Sequence, residues 1–165
     1  MPAFLYVSAA VIALLVAASF GAIALKDRQA KRRLAALTEE YASEEILESS
    51  IATFAGRASY GSKQTLGAGP LLLTSRRLLF EMSPGRTLAI STNALRSAET
   101  TALAGGKQQA LKVTFHDEKA GNTDAAVWVV QRPQEWAAKL ARAGADAMRE
   151  QPPPSGIILP WERDG

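Results

Sequence analysis

Residues 4 to 25, Phe-Leu-Tyr-Val-Ser-Ala-Ala-Val-Ile-Ala-Leu-Leu-Val-Ala-Ala-Ser-Phe-Gly-Ala-Ile-Ala-Leu, contain no charged side chain. As a helix rising 1.5 Å per residue the stretch reaches about 33 Å, enough to cross a hydrocarbon core of about 30 Å. A helix apolar on every face has no place on the surface of a domain this small. The sequence therefore predicts a transmembrane anchor over residues 1–25. The competing reading is a secretory signal, since Ala22-Ile23-Ala24 has the small-x-small form of a cleavage site. A signal peptide, however, carries its basic residues before a shorter apolar core.

Here the basic residues come after the apolar run: Lys26, Arg28, Lys31, Arg32 and Arg33, with Asp27 the one acid among them. Positive residues beside a span stay on the cytoplasmic side. The expectation is a single-pass protein of the inner or plasma membrane, N-terminus outside and C-terminal part cytoplasmic. The five basic residues form a cluster for the anionic membrane surface, where each contributes about 1 kcal/mol.

Residues 26–45 are strong helix formers without glycine or proline and read as a basic-then-acidic juxtamembrane helical stalk. Glu39, Glu40, Glu44, Glu45 and Glu48 would be held away from the lipid surface. Leu34, Leu37 and Tyr41 make a narrow apolar stripe along it. A solvated spacer touching the domain weakly is the expectation; a dimer contact or a seat for the domain is the alternative.

Beyond the stalk the period shortens. Gly69 to Glu81 holds two apolar runs about a Thr-Ser-Arg break, a hairpin signature. Ser83-Pro84-Gly85 reads as a turn and Thr87 to Ile90 as a strand. Ala94 to Thr100 is a further strand candidate, with Gly105-Gly106 the break after it. Leu111, Val113 and Phe115 alternate onto one face. His116 to Thr123 reads as a polar loop and Ala125 to Val130 as the last strand. Pro133 opens a helix that presents Trp136, Leu140, Ala143 and Ala147 on one face. Pro152-Pro153-Pro154 ends it, and residues 149–165 form a Pro-rich tail whose expected state is unstructured, with folding back onto the domain or a short docking peptide as the alternatives.

The run Gly69-Pro70-Leu71-Leu72-Leu73-Thr74-Ser75-Arg76-Arg77-Leu78-Leu79-Phe80 resembles the hairpin "G-x-L-x-L-T-x-x-R-L-x-F" of GRAM-like and bacterial pleckstrin-homology (PH)-like domains. Ile90 to Glu99 is similar to the segment that follows in those domains. Val127 to Val129, with Trp136 and Leu140, resembles their last strand and closing helix. The likeness spans roughly Leu47 to Ala147, in a chain similar to small actinobacterial single-span proteins. The fold class implied is an N-terminal transmembrane α-helix plus a mainly-β (α+β) domain over residues 46–148, a PH/GRAM-like small barrel capped by a C-terminal helix. The resemblance implies a non-catalytic scaffold or sensor that binds a protein, or an anionic lipid, at the cytoplasmic face.

Chemistry is sparse. The chain has no cysteine and one histidine, which excludes disulfides, thiolate metal sites and a catalytic thiol. Gly105-Gly106-Lys107 lacks the upstream glycine and the Ser or Thr of a phosphate loop, and Ser59 and Ser62 lack a nucleophile elbow. His116 beside Asp117 and Glu118 has no second histidine or nucleophile. No catalytic, cofactor or metal site is expected. Lys63, Arg76, Arg77 and Arg86 are the candidate contacts to an anionic headgroup, because guanidinium forks suit phosphate. No aromatic–basic interleaving points to nucleic acid. The alternative role is an accessory subunit of a transporter or envelope enzyme, contacting it through the span at Gly21 and its alanines.

Overall fold

Leu71-Leu72-Leu73 and Leu78-Leu79-Phe80 do not alternate with polar residues because the sheet they occupy is covered on both faces. The computed structural model describes residues 28–60, 67–103 and 106–150. The expected span, Lys26 and Lys63 lie outside the described residues, as does the tail beyond Glu150. Among the described residues no helix is long and apolar enough to cross a membrane.

A helix, α1, is described over residues 28–40. Seven strands follow: β1 Ile46–Arg57, β2 Gly67–Thr74, β3 Arg77–Ser83, β4 Arg86–Ser91, β5 Leu95–Leu103, β6 Gln108–Asp117 and β7 Asn122–Val129. Helix α2, Pro133–Glu150, closes the chain of described elements. The strands form one antiparallel sheet in the order β4-β3-β2-β1-β7-β6-β5. A mainly-β sheet with a C-terminal helix is the architecture the sequence led us to expect.

The sheet curves without closing. Phe80 on β3 and Trp128 on β7 are three strands apart in the order, about 14 Å in a flat sheet. Their ring centroids are 6.0 Å apart. Phe54 on β1 stands between them, at 5.6 Å from Phe80 and 5.8 Å from Trp128. A bulge at Phe54/Gly56, with Gly56 at φ 143°, lets β1 leave β2 and turn to β7. The expected barrel is thus open: β4 and β5, at the two ends of the order, do not pair.

The inner face carries Leu71, Leu73, Leu78, Phe80, Ile90, Leu111, Val113, Phe115 and Trp128, all buried in one cluster. Trp136 and Leu140 of α2 join that cluster, so α2 plugs one end of the curved sheet as its apolar face predicts. Across it, Lys139 pairs with Glu48 of β1.

The outer face corrects the reading of the stalk. Leu37 of α1 is buried against Leu72 and Leu79, with Tyr41 and Ile46 at the margin. Arg33 Nη2 lies 3.1 Å from Glu81 Oε1, and Glu44 Oε1 lies 2.8 Å from Arg77 Nη2. The helix is therefore seated on the domain rather than being a solvated spacer. Of the acids expected to stand clear of the lipid surface, Glu44 pairs with Arg77, and Glu48, on β1, pairs with Lys139 of α2.

The polar segment His116 to Thr123 is also corrected. His116 pairs with Thr123 and Asp117 with Asn122, so the ladder runs through residues expected in a loop. The turn narrows to residues 118–121, where Gly121 takes φ 66° and donates its N–H to the Asp117 carbonyl at 2.7 Å.

Candidate functional site

β4 pairs with β3 on one side only, and along its other side runs an open cleft of about 970 Å³. The β2–β3 turn (Ser75, Arg76) bounds one end. Arg86 and the β6–β7 turn bound the other, and the last turn of α2 adds Ala147 and Glu150. Met82, Leu88 and Ala94 give it an apolar lining between charged rims.

Of the four cations singled out in the sequence, Arg76, Arg77 and Arg86 border this one cleft. They come from the two turns that bracket β3, with Arg77 opening the strand itself. Arg76 and Arg86 are exposed and have no ion pair among the described residues. Arg77 is half-buried: its guanidinium is held by Glu44 and stands 5.6 Å from the Tyr41 ring centroid. Lys119, at the β6–β7 turn, adds a cation that the sequence reading did not include.

The turn carrying Arg76 and Arg77 is built on Thr74, which is fully buried. Thr74 Oγ1 accepts the N–H groups of Arg76 and Arg77 at 3.2 and 3.0 Å. Its hydroxyl faces both Glu44 Oε2 and the Arg77 carbonyl as acceptors. A threonine at this position satisfies two backbone donors that a tight turn leaves open.

At the opposite end lies a clamp that sequence reasoning missed. Arg57, nearly buried, is bound by both Asp117 and Asp124 and lies over the Phe115 ring at 5.3 Å. Ser59 N–H donates to Asp124 Oδ1 at 3.0 Å, and Lys119 N–H to Asp117 Oδ1 at 3.0 Å. Burial opposes the ionisation of both carboxyls. For Asp124 the bonds from Ser59 and Arg57 outweigh it, and for Asp117 the bond from Arg57 does, so both sit below the usual carboxylate range. The clamp ties the ends of β1 and β6 to the start of β7. Its partners lie 60 and 67 residues from Arg57, so no local pattern announces it.

The contacts made by Arg33 of α1 and by Glu44, in the turn that follows it, give the domain a direction. Arg33 meets the end of β3 and Glu44 meets its start, so α1 runs antiparallel to β3. The basic end of α1, with Arg28, Lys31 and Arg32 exposed, therefore sits toward the β3–β4 turn and Arg86. Because β1 and β3 run the same way, the end of β1 with its Arg57 clamp shares that side.

A cleft of this kind offers guanidinium and ammonium groups over an apolar trough. It suits an anion, or a chain that is both apolar and acidic. Among the described residues, no group of three or more His, Cys, Asp or Glu is placed to hold a metal ion.

No family model matches the sequence, and no curated protein matches it. Among solved structures, the chain is similar to the DH/PH domains of p115-RhoGEF in a point-mutant form, with a TM-score of 0.43 and 16% identity. That match covers 73% of this chain and 40% of the other. An N-terminally truncated linker-DH/PH form of p115-RhoGEF gives 0.40 and 17%, covering 74% and 39%. The chain thus spans about two fifths of the length of those structures.

Proposed function

We propose that this chain is a membrane-tethered, non-catalytic docking module that presents its cleft at the cytoplasmic face, where it binds a protein partner or an anionic lipid headgroup. The observation that carries the reading is the direction of α1. Its basic end lies beside the β3–β4 turn, so a span leading into that end would bring Arg86 and Lys119 toward the headgroups. A tether of this kind raises the local concentration of the domain, so weak contacts suffice. The cleft supplies cations and apolar surface, and nothing in the reading asks for catalysis.

The reading is tested with residues 28–150, which retain α1. The expected result is salt-sensitive retention on anionic vesicles, lowered by Arg86→Glu together with Lys119→Glu and absent on neutral vesicles. Equal retention on neutral and anionic vesicles would contradict it. So would export of a reporter fused after Gly165 from the cytoplasm.

A further inference from the structure

We propose that the cleft takes an extended segment of a partner protein, which adds to the free edge of β4 as a further strand and carries an acid on each flank of a short alternating run. This names the partner chemistry of the docking reading above, and rests on that reading only where it sets aside a second copy. Just past β4 the Thr92 N–H donates to the Arg76 carbonyl at 2.9 Å. Bonded pairs alternate along an antiparallel ladder, so Ile90 and Leu88 bond to Leu78 and Phe80 of β3. The N–H and C=O groups of Thr87, Ala89 and Ser91 therefore point away from β3, and among the described residues no strand takes them. The other edge of the sheet, β5, carries Arg96 and Glu99 and has α2 packed against it. From Thr87 to Ser91, β4 has neither charge nor proline, which leaves it a template for strand addition.

The cleft selects the occupant. Partner side chains opposite Leu88 and Ile90 turn to the inner face, where Leu88 and Met82 stand at the margin of the core cluster, so apolar residues fit there. Those opposite Thr87, Ala89 and Ser91 turn outward and can be polar. Arg76 lies beyond the Ser91 end of the strand, and Arg86 with Lys119 lies at the other. All three are exposed and have no ion pair among the described residues. Glu118 and Glu150 also border the cleft, so the unpaired cations at its two ends, rather than its net charge, call for acids. Six residues of strand are about 20 Å long, so acids on either flank of a run opposite residues 87–91 meet a cation at each end. A second copy suits the edge less well. Antiparallel pairing of two β4 strands points their β3–β4 turns in opposite directions, and two copies tethered in one membrane cannot both face it that way.

The probe is the synthetic peptide Asp-Thr-Val-Thr-Val-Thr-Asp, added at about 1 mM to the full chain in zwitterionic micelles, with amide exchange followed by NMR. The amides of Thr87, Ala89 and Ser91 should slow about tenfold, while those of Leu88 and Ile90, bonded to β3 throughout, change little. N-methylation of the central threonine, whose N–H faces β4, should abolish the effect, and N-methylation of either valine, whose N–H faces away, should not. Ala89→Pro removes one outward N–H and leaves the β3 ladder whole, so it should abolish protection at 87 and 91 while residues 111–115 of β6 exchange as before. No slowing at 87, 89 and 91, or equal slowing by the two kinds of N-methylated peptide, would overturn the proposal. Slow exchange there without peptide, fading on dilution, would overturn it in favour of a second copy. Vesicle retention of residues 28–150 is read separately: retention without peptide protection overturns the added strand alone, and loss of both overturns the docking reading with it.

Discussion

Glu44 reaches across the outer face of the sheet to Arg77, its Oε1 2.8 Å from the guanidinium Nη2, while its other oxygen takes the Thr74 hydroxyl. One carboxylate in the turn after α1 thus ties that turn to the one that carries Arg76 and Arg77. Arg77 is 40% exposed, so solvent screens the pair. Glu44→Ala should cost about 1 kcal/mol in urea denaturation, because the Thr74 hydroxyl can turn to the Arg77 carbonyl. Thr74→Val should cost more, about 2 kcal/mol, since it leaves the Arg76 and Arg77 N–H groups of the turn without their acceptor. Thr74→Ser should recover most of that loss.

The Arg57 clamp sets an acid limit on stability. Asp117 and Asp124 have lowered folded-state values, so folding favours their ionised forms. That contribution is complete above the ordinary Asp range near 4 and is lost as pH falls through the folded-state values. Urea midpoints should therefore be flat near neutrality and drop below about pH 4. Asp124→Asn should lower stability at pH 7 by about 3 kcal/mol, because Arg57 is nearly buried, and should flatten the acid limb.

Two glycines should respond in opposite directions to alanine. A Cβ on Gly69 would overlap the Glu81 carbonyl oxygen, a backbone atom that cannot move without parting β2 from β3. Gly69→Ala should destabilise by about 2 kcal/mol, and should weaken the Arg33–Glu81 contact with it. Gly144, inside α2, has only Leu95 and the Thr92 carbonyl at ordinary contact distance. Gly144→Ala should stabilise by about 0.5–1 kcal/mol through helix propensity alone. Thermal unfolding of the two variants side by side checks both.

Trp128 packs against Phe54 and Phe80 with its indole Nε1 buried and without a hydrogen-bond partner among the described residues. Trp128→Phe removes that unpaired donor together with some volume, so the two effects offset, and a loss under about 2 kcal/mol is expected. Trp128→Ala opens a cavity between Phe54 and Phe80 and should cost about 4 kcal/mol. Urea denaturation of both variants gives the ratio directly.

The β2–β3 hairpin and α2 were legible because their apolar spacing is strong and their turns are short. The unbroken runs at Leu71–Leu73 and Leu78–Phe80 also held a signal that both faces are covered, since a sheet wet on one side alternates. Leu72 and Leu79 named the need for a cover, and Leu37 of α1 supplies it from more than 30 residues away. The start of β1 carries no strand period, because Glu48, Ser49 and Ser50 interrupt the apolar pattern where the strand pairs on one side only. The ladder at His116 and Asp117 was hidden because pairing there continues among polar side chains, where hydropathy has no period. Of the candidate contacts, Arg76, Arg77 and Arg86 were chosen for nearness to turns. The Arg57 clamp and the edge exposure of β4 depend on pairings distant in sequence.

The central claim is that the β3–β4 turn faces the membrane and the β2–β3 turn faces away from it. The absence of cysteine makes single labels simple to place. Spin labels at Ser83→Cys and Ser75→Cys, in the full chain reconstituted in anionic bilayers, report proximity to a lipid-borne relaxation agent. The account expects strong relaxation at position 83 and little at 75. Equal relaxation at both, or the stronger effect at 75, would contradict it.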